Sequence, residues 1–212
     1  MNGRNTIFRL RLGNRPRGLS HAGFSMIELI IVIGILAILF TFMYKGFERL
    51  NRYYTAENVK ASTQQSTRIG VEMMVQDIRR AGLNPLGTAG AGVVAASPTS
   101  FRFTVDANFD GIIDPADPFV DEDITYGLNL DGACGTCLQQ RNRLGTETLL
   151  GDVNTLAMTY LDDAGTAIPA ANLAARRADI RTVGITLTVS RSAGRDGTVS
   201  RTYTTQVRCR NL

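Results

Sequence analysis

The sequence contains no tryptophan, one histidine, three cysteines and six prolines among 212 residues. That one histidine, His21, stands close to the N-terminus, so no imidazole is present from residue 22 onward. Ser-His-Asp triads, histidine general bases and histidine metal sites are therefore excluded from the bulk of the chain. There is also no phosphate cradle and no nucleophile–base constellation, so an enzyme is not expected. The formal charge of +4 misleads in its own way. Residues 1–23 hold Arg4, Arg9, Arg11, Arg15 and Arg17 and no acid, which leaves 18 basic residues against 19 acidic ones in the rest. Net charge alone gives no ground for a nucleic-acid partner.

Against these scarcities stands one long apolar run, Phe24 to Met43. It holds twenty residues with no proline and a single charge, Glu28. As a helix it would rise roughly 30 Å, the thickness of a bilayer's hydrocarbon core. A carboxylate four residues inside such a run costs on the order of 3 kcal/mol to insert, so something must compensate for it. An ordinary secretory peptide places its cleavage site after the apolar run and discards the run. Here a basic, polar stretch ending in Gly23 lies in front of it. That charge distribution holds the leading residues in the cytoplasm and the C-terminal bulk outside.

Gly23-Phe24-Ser25-Met26-Ile27-Glu28, behind an arginine-rich stretch and ahead of an uninterrupted apolar run, resembles the prepilin signal of type IV pilins and pseudopilins. The resemblance implies that residues 1–23 are a disordered leader. A prepilin peptidase would cut between Gly23 and Phe24 and methylate the new amine of Phe24, and the apolar run would be retained. It further implies that Glu28 pairs, during assembly, with the methylated N-terminus of a neighbouring subunit. The plain alternative is a single-pass anchor in which Glu28 is incidental.

The helix is expected to continue past the run. Tyr44, Lys45, Glu48, Arg49 and Arg52 bring charge, and Tyr53 and Tyr54 suit an interface. Ala56, Val59, Thr63, Thr67, Val71, Met74 and Ile78 then recur at spacings of three or four, with Val75 beside them. This is an amphipathic stripe that needs a cover. Gly82 followed by Asn84-Pro85 is a stop signal. The stretch from Arg68 to Pro85 also resembles the E-x-x-x-x-D-[IL]-R-x-A-G segment that ends the long helix of PilW-like minor pilins. Glu72, Asp77, Ile78, Arg79, Ala81 and Gly82 carry the match.

The fold class expected is α+β and pilin-like, a long N-terminal helix packed on a C-terminal antiparallel β-sheet domain. Its parts are residues 1–23 as leader, 24–43 as the transmembrane half of the helix, 44–83 as the amphipathic half and 84–212 as the β-rich globular domain. Gly87 to Ser97 is expected to be a small-residue linker. Strands are expected at Ser100 to Val105, Ile124 to Leu130, Cys137 to Leu144, Thr155 to Leu161, Ile180 to Ser190 and Thr198 to Cys209. Turns are expected at residues 162–165 and 193–197. Val183, Ile185, Leu187 and Val189 alternate with Gly184, Thr186, Thr188 and Ser190, one face in and one out.

Cys134, Cys137 and Cys209 fall in a domain expected to be exported, where disulfides persist. A tight Cys134–Cys137 loop and a bridge from either of them to Cys209 both remain open. A lone C-x-x-C is weak ground for redox chemistry.

Eight of the acids lie between Asp106 and Asp131, with no lysine or arginine among them. Asp106, Asn108, Asp110, the carbonyl of Ile112, Asp114 and Asp117 match the calcium-loop pattern, with Gly111 at the sharp turn. Carboxylates at this spacing repel one another unless a hard cation neutralises them, and Ca²⁺ in a structural role is the ion expected. Two features depart from the pattern: Asp117 stands where a bidentate glutamate is usual, and no helix pair flanks the loop. The alternative is a solvated acidic hairpin.

Taken together, the resemblance implies a minor pilin, a structural subunit that primes or joins a type IV pilus. A minor pseudopilin of type II secretion is the close alternative. A tip-displayed, Ca²⁺-dependent adhesin or DNA-binding pilin is another, since eight arginines lie beyond Leu173, although Tyr203 alone offers a base-stacking platform there. The partners implied are other pilin and minor pilin subunits, the prepilin peptidase and the inner-membrane assembly machinery, and no nucleic acid. The location implied is a single pass of the inner membrane with the C-terminal domain in the periplasm, then the pilus at the cell surface, its tip included.

Overall fold

The computed structural model describes residues 23–194 and 197–212. The expectations placed on the leader ahead of Gly23, and on the middle of the turn at 193–197, lie outside the described residues. One helix, α1, spans Met26–Arg80 and is followed by eight strands: β1 Val93–Ser97, β2 Ser100–Thr104, β3 Asp123–Leu128, β4 Leu138–Asn142, β5 Gly145–Leu150, β6 Val153–Leu161, β7 Thr182–Ser192 and β8 Thr198–Arg208. Two compact units share the chain, residues up to Glu48 and Arg49 to Leu212, with α1 continuous through the boundary.

In the first unit nothing covers the helix. Every described residue through Phe47 is exposed, with Phe24 at 82% and Phe42 at 71%. It is long and apolar enough to cross a membrane. This stretch can form a helix despite its β-branched run at residues 30–33 because the backbone is free of proline and a helix lets its amides bond within the segment.

In the second unit α1 is amphipathic in fact. Thr63, Thr67, Gly70, Val71, Met74 and Ile78 are buried, whereas Ala56, Val59 and Val75 of the expected stripe are half-buried. A side chain at Gly70 would meet Leu138 and Leu150 at 3.7 Å, which locates β4 and β5 against this face. The helix ends where expected. Gly82 takes the left-handed backbone (φ +80°) that a helix C-terminus favours, and its N–H donates to the Thr104 carbonyl (3.0 Å). The chain end seals the same point. The N–H of Arg210 donates to the Arg79 carbonyl, and a Cβ at Gly82 would stand 2.3 Å from the Leu212 side chain.

The strands form two antiparallel sheets, one in the order β1-β2-β3-β4-β5 and one in the order β6-β7-β8. The single sheet expected is thus divided. Both sheets feed one core, in which Phe101 stacks 5.6 Å from Tyr160 and the Tyr160 hydroxyl donates to the carbonyl of Ser97. The alternation along β7 is as expected: Val183, Ile185, Leu187 and Val189 are all buried. The opposite face carries a hydroxyl ladder to β8, pairing Thr186 with Thr204, Thr188 with Thr202 and Ser190 with Ser200.

Two further expectations need correction. Residues 93–97, expected to be linker, are β1, paired antiparallel with β2. Small residues suffice there because an outer strand is held by its ladder more than by its side chains. The strand expected at Cys137 to Leu144 spans Leu138–Asn142, and the chain returns as β5, paired antiparallel with β4 with a register shift between Leu138 and Gln139. Its sequence, GTETLL, is too polar to announce a buried strand, and only Leu150 in it is buried.

Ile78 lies at the seam between α1 and the core, so Ile78→Ala should destabilise the Arg49–Leu212 unit by about 2–5 kcal/mol. Met73, on the outer face of the same helix, should cost within about 0.5 kcal/mol when changed to alanine. Denaturant unfolding followed by the β-sheet circular dichroism signal measures both. Equal losses would mean that the stripe does not carry the packing.

Candidate functional site

Three places hold the residues singled out in the sequence, and the structure treats them differently. The first is the N-terminal end of α1. The carbonyl of Ser25 accepts the N–H of Glu28 (3.0 Å) and of Leu29 (3.2 Å), so the first turn begins directly after it. Glu28 lies in that first turn, where the helix dipole favours a negative charge. Gly23 and Phe24 precede the helix in exposed chain with no regular secondary structure. A protease needs such a segment, because a scissile bond must leave helical geometry to enter an active site. The glycine adds no side chain to obstruct it, and a Cβ there would meet nothing within 4 Å.

The second place is the cysteines. Cys134 is bonded to Cys137, closing a four-residue loop between β3 and β4, and Cys209 is a free, buried thiol. Of the two pairings left open by the sequence, the tight loop is the one formed. Cys209 packs in the core at the end of β8, with its N–H donating to the Arg181 carbonyl (2.9 Å). Burial pushes this thiol up to about 11.

The third is the acidic loop between β2 and β3. Asp106 is wholly buried, and one of its oxygens, Oδ2, accepts the N–H of Gly111 (3.1 Å). Gly111 has φ +81°, and a Cβ on it would strike the Thr88 hydroxyl, so both backbone and space demand glycine. Asn108 Oδ1 accepts the Asp110 N–H, and Asp110 Oδ1 accepts the Ile112 N–H. The Asn108 amide nitrogen donates to both Asp110 (3.0 Å) and Asp117 (3.1 Å), bridging positions nine residues apart. Backbone N–H groups of Phe119 and Val120 hold the Asp117 carboxyl below the usual carboxylate range. Asp114 is exposed and caps the Ala116 N–H. Among the described residues no three acid, cysteine or histidine side chains are gathered as a ready metal cage.

Two residues that matter to this loop escaped the sequence reading. Glu122 is buried, and its carboxylate accepts the N–H groups of Ala107 and Asp114, pinning the loop at both ends. Thr88 donates to the Gly111 carbonyl (2.9 Å). Glu122 could have been noticed as an acid two residues before a buried isoleucine on one strand face; Thr88 left no local signal. The arginines beyond Leu173 are largely engaged at the surface. Arg176 pairs with Asp162 and Asp179, Arg191 with Asp152 and Arg208 with Asp163.

Residues 19–44 match the family described as the prokaryotic N-terminal methylation motif. The matched span covers the exposed Gly23–Phe24 junction, Glu28 and the uncovered apolar helix. This motif supports a type IV pilin-like or pseudopilin-like protein, processed by a prepilin peptidase and anchored by its apolar helix. It suggests a structural subunit in place of an enzyme. No curated protein matches the chain.

Thiol counting tests the cysteine arrangement. The folded chain should react with no iodoacetamide at pH 8, the unfolded unreduced chain with one equivalent and the reduced chain with three. The unfolded thiol ionises near 9 and the folded one near 11, so the neutral form is favoured by folding. Its contribution is whole below pH 9 and is lost as pH rises toward 11, about 2–3 kcal/mol in all. That loss should be present in the wild type and absent from Cys209→Ala over the same range.

Proposed function

We propose that the chain is a PilW-like minor pilin, a structural subunit that primes or joins a type IV pilus through its N-terminal helix. The observation that carries the proposal is the uncovered helical surface from Phe24 to Met43, opening on Glu28. About twenty apolar side chains have no cover among the described residues, so lipid or other helices of the same kind must cover them. The peptidase hydrolyses the Gly23–Phe24 bond and methylates the freed amine. The helix waits in the inner membrane, the β domain on the periplasmic side. On assembly it leaves lipid for the helices of neighbouring subunits. There Glu28 meets the positive N-terminus of an adjacent subunit, and the buried carboxylate gains a partner. The apolar contacts supply cohesion and the ion pair supplies register; a buried pair is weak ground for claiming net stability.

The finer assignment, minor pilin, draws on the helix exit. In that string Ile78 and Ala81 are buried, Asp77 receives the Tyr126 hydroxyl and Gly82 makes the left-handed stop. Four of the six matched residues, Asp77, Ile78, Ala81 and Gly82, thus have work at the junction of helix and sheet, while Glu72 pairs with Arg68 on the exposed face. A type II secretion pseudopilin uses the same leader and helix and is the second reading.

Intact mass and N-terminal analysis of protein from native membranes should give a chain beginning at N-methylated Phe24. Glu28→Ala should leave processing and membrane insertion intact while removing the subunit from sheared filaments by tenfold or more. A chain still beginning at Met1 in cells with an active peptidase would overturn the proposal. A deletion strain that keeps its pili and loses secreted proteins would move the assignment to the pseudopilus.

A further inference from the structure

A carboxylate oxygen without a partner in a fully buried residue is costly, because it has given up water and received nothing in return. Asp106 Oδ1 is such an atom: the residue is 0% exposed and this oxygen accepts no hydrogen bond. Its sister oxygen is tied to the N–H of Gly111, at the turn of the acidic loop, which fixes the carboxylate toward the loop's interior. Four aspartates, Asp106, Asp110, Asp114 and Asp117, lie within twelve residues that contain no lysine or arginine. From these observations we infer that the loop is a Ca²⁺ site, with Asp106 Oδ1 as its preformed ligand.

The other candidate ligands lie in the same twelve-residue loop, and the ion would have to draw them together, since no three of these acids are gathered as a ready cage among the described residues. Asp110 and Asp117 already converge on one point, which the Asn108 amide nitrogen now holds. That nitrogen is a polar donor standing between two carboxylates, the place a cation takes. Turning the Asn108 amide by half a rotation exchanges its nitrogen for its oxygen. A donor that must be satisfied by two carboxylates becomes a further oxygen ligand. The carbonyl of Ile112 follows the Gly111 turn and faces no partner of its own in the hydrogen-bond pattern of the loop. All of these donors are oxygens, which suits a hard cation, and their number and irregular spacing suit Ca²⁺ better than the octahedral demands of Mg²⁺.

The site would do mechanical work. The N–H of Asp106 donates to the Leu83 carbonyl (2.8 Å), and Thr88 donates to the Gly111 carbonyl. The ion would therefore fasten the β2–β3 loop to the segment that leaves α1. The inference leans on the exported-domain reading only for its supply of calcium. Binding is read in vitro, so its failure is separable from failure of the pilin assignment.

The test is calorimetric titration of metal-stripped full-length chain in detergent with CaCl₂. One equivalent should bind with a Kd on the order of 10⁻⁴ M, as in extracellular modules, and saturation should raise the Tm by about 5 °C or more. Asp110→Asn and Asp117→Asn, both at solvent-facing positions, should weaken binding at least tenfold while leaving the metal-free circular dichroism spectrum unchanged. Asn108→Asp distinguishes the two natures of the loop. It should tighten Ca²⁺ binding if a cation takes the bridging place. If the loop is a solvated hairpin held by the Asn108 amide, the variant should lose stability equally with and without calcium. That outcome, or the absence of a saturable heat up to about a hundred times the expected Kd, or binding that Asp117→Asn does not weaken, overturns the inference.

Discussion

An apolar helical surface in water has to be covered, and α1 meets that demand in two ways along one continuous rod. From Arg49 onward its stripe is covered by the chain's own sheets, through Val71, Met74 and Ile78. Through Phe47 it is covered by none of the described residues. A surface of this size is far beyond what a soluble monomer tolerates. The first half of the helix is thus specified for an environment outside the polypeptide, and the second half for the polypeptide itself. The composition changes where the demand changes. Lys45, Glu48, Arg49 and Arg52 arrive within eight residues, and after them charges keep to one side of the helix.

Glu28 is intelligible only under that constraint. In a lipid-facing helix an acid near the apolar end is a cost with no local return. The structure gives it the first turn, where the helix dipole eases the charge by a few tenths of a kcal/mol to about one. That is smaller than the insertion cost, so the remaining compensation has to come from outside the chain. In the proposed filament, the amine at the N-terminus of a neighbouring processed subunit would meet the need without any new residue type. The same acid would then penalise mispacked neighbours, because a subunit inserted out of register would leave both charges buried and unpaired.

Much of this was legible in the residues because it depends on local pattern. The apolar run, the stripe from Val59 to Ile78, the stop at Gly82 and the alternation along β7 are each written within a few turns of chain. What was not legible depends on partners distant in sequence. Alternation along β7 says which side chains face inward, yet it is silent on which strands share its sheet, so the division into two sheets was out of reach. The strand β1 is built of valine, alanine and serine that any linker could contain, and only its pairing with Phe101 and Phe103 on β2 gives it order. Choosing between Cys137 and Cys209 as the partner of Cys134 needs their separation in space, which spacing in the chain does not encode. Glu122 belongs to the same class: its two backbone acceptances from Ala107 and Asp114 exist only once the loop has closed on it.

The helix exit shows how a sequence signature and a fold can be the same object. Asp77 sits on the flank of the buried stripe, where it pairs with Arg80 one turn on and accepts the hydroxyl of Tyr126 from β3. Burial and the nearby Asp77 charge push the Tyr126 hydroxyl well above the usual tyrosine range, so it stays a proton donor across all physiological pH. A neutral donor facing a carboxylate that is itself paired with an arginine is a stable chain of charge-assisted bonds. It ties the last turn of α1 to the middle strand of the five-stranded sheet, one turn before Gly82 reverses the backbone and Leu212 closes over it. A chain that has to hold a membrane-length helix and a folded domain together has its polar connections concentrated here.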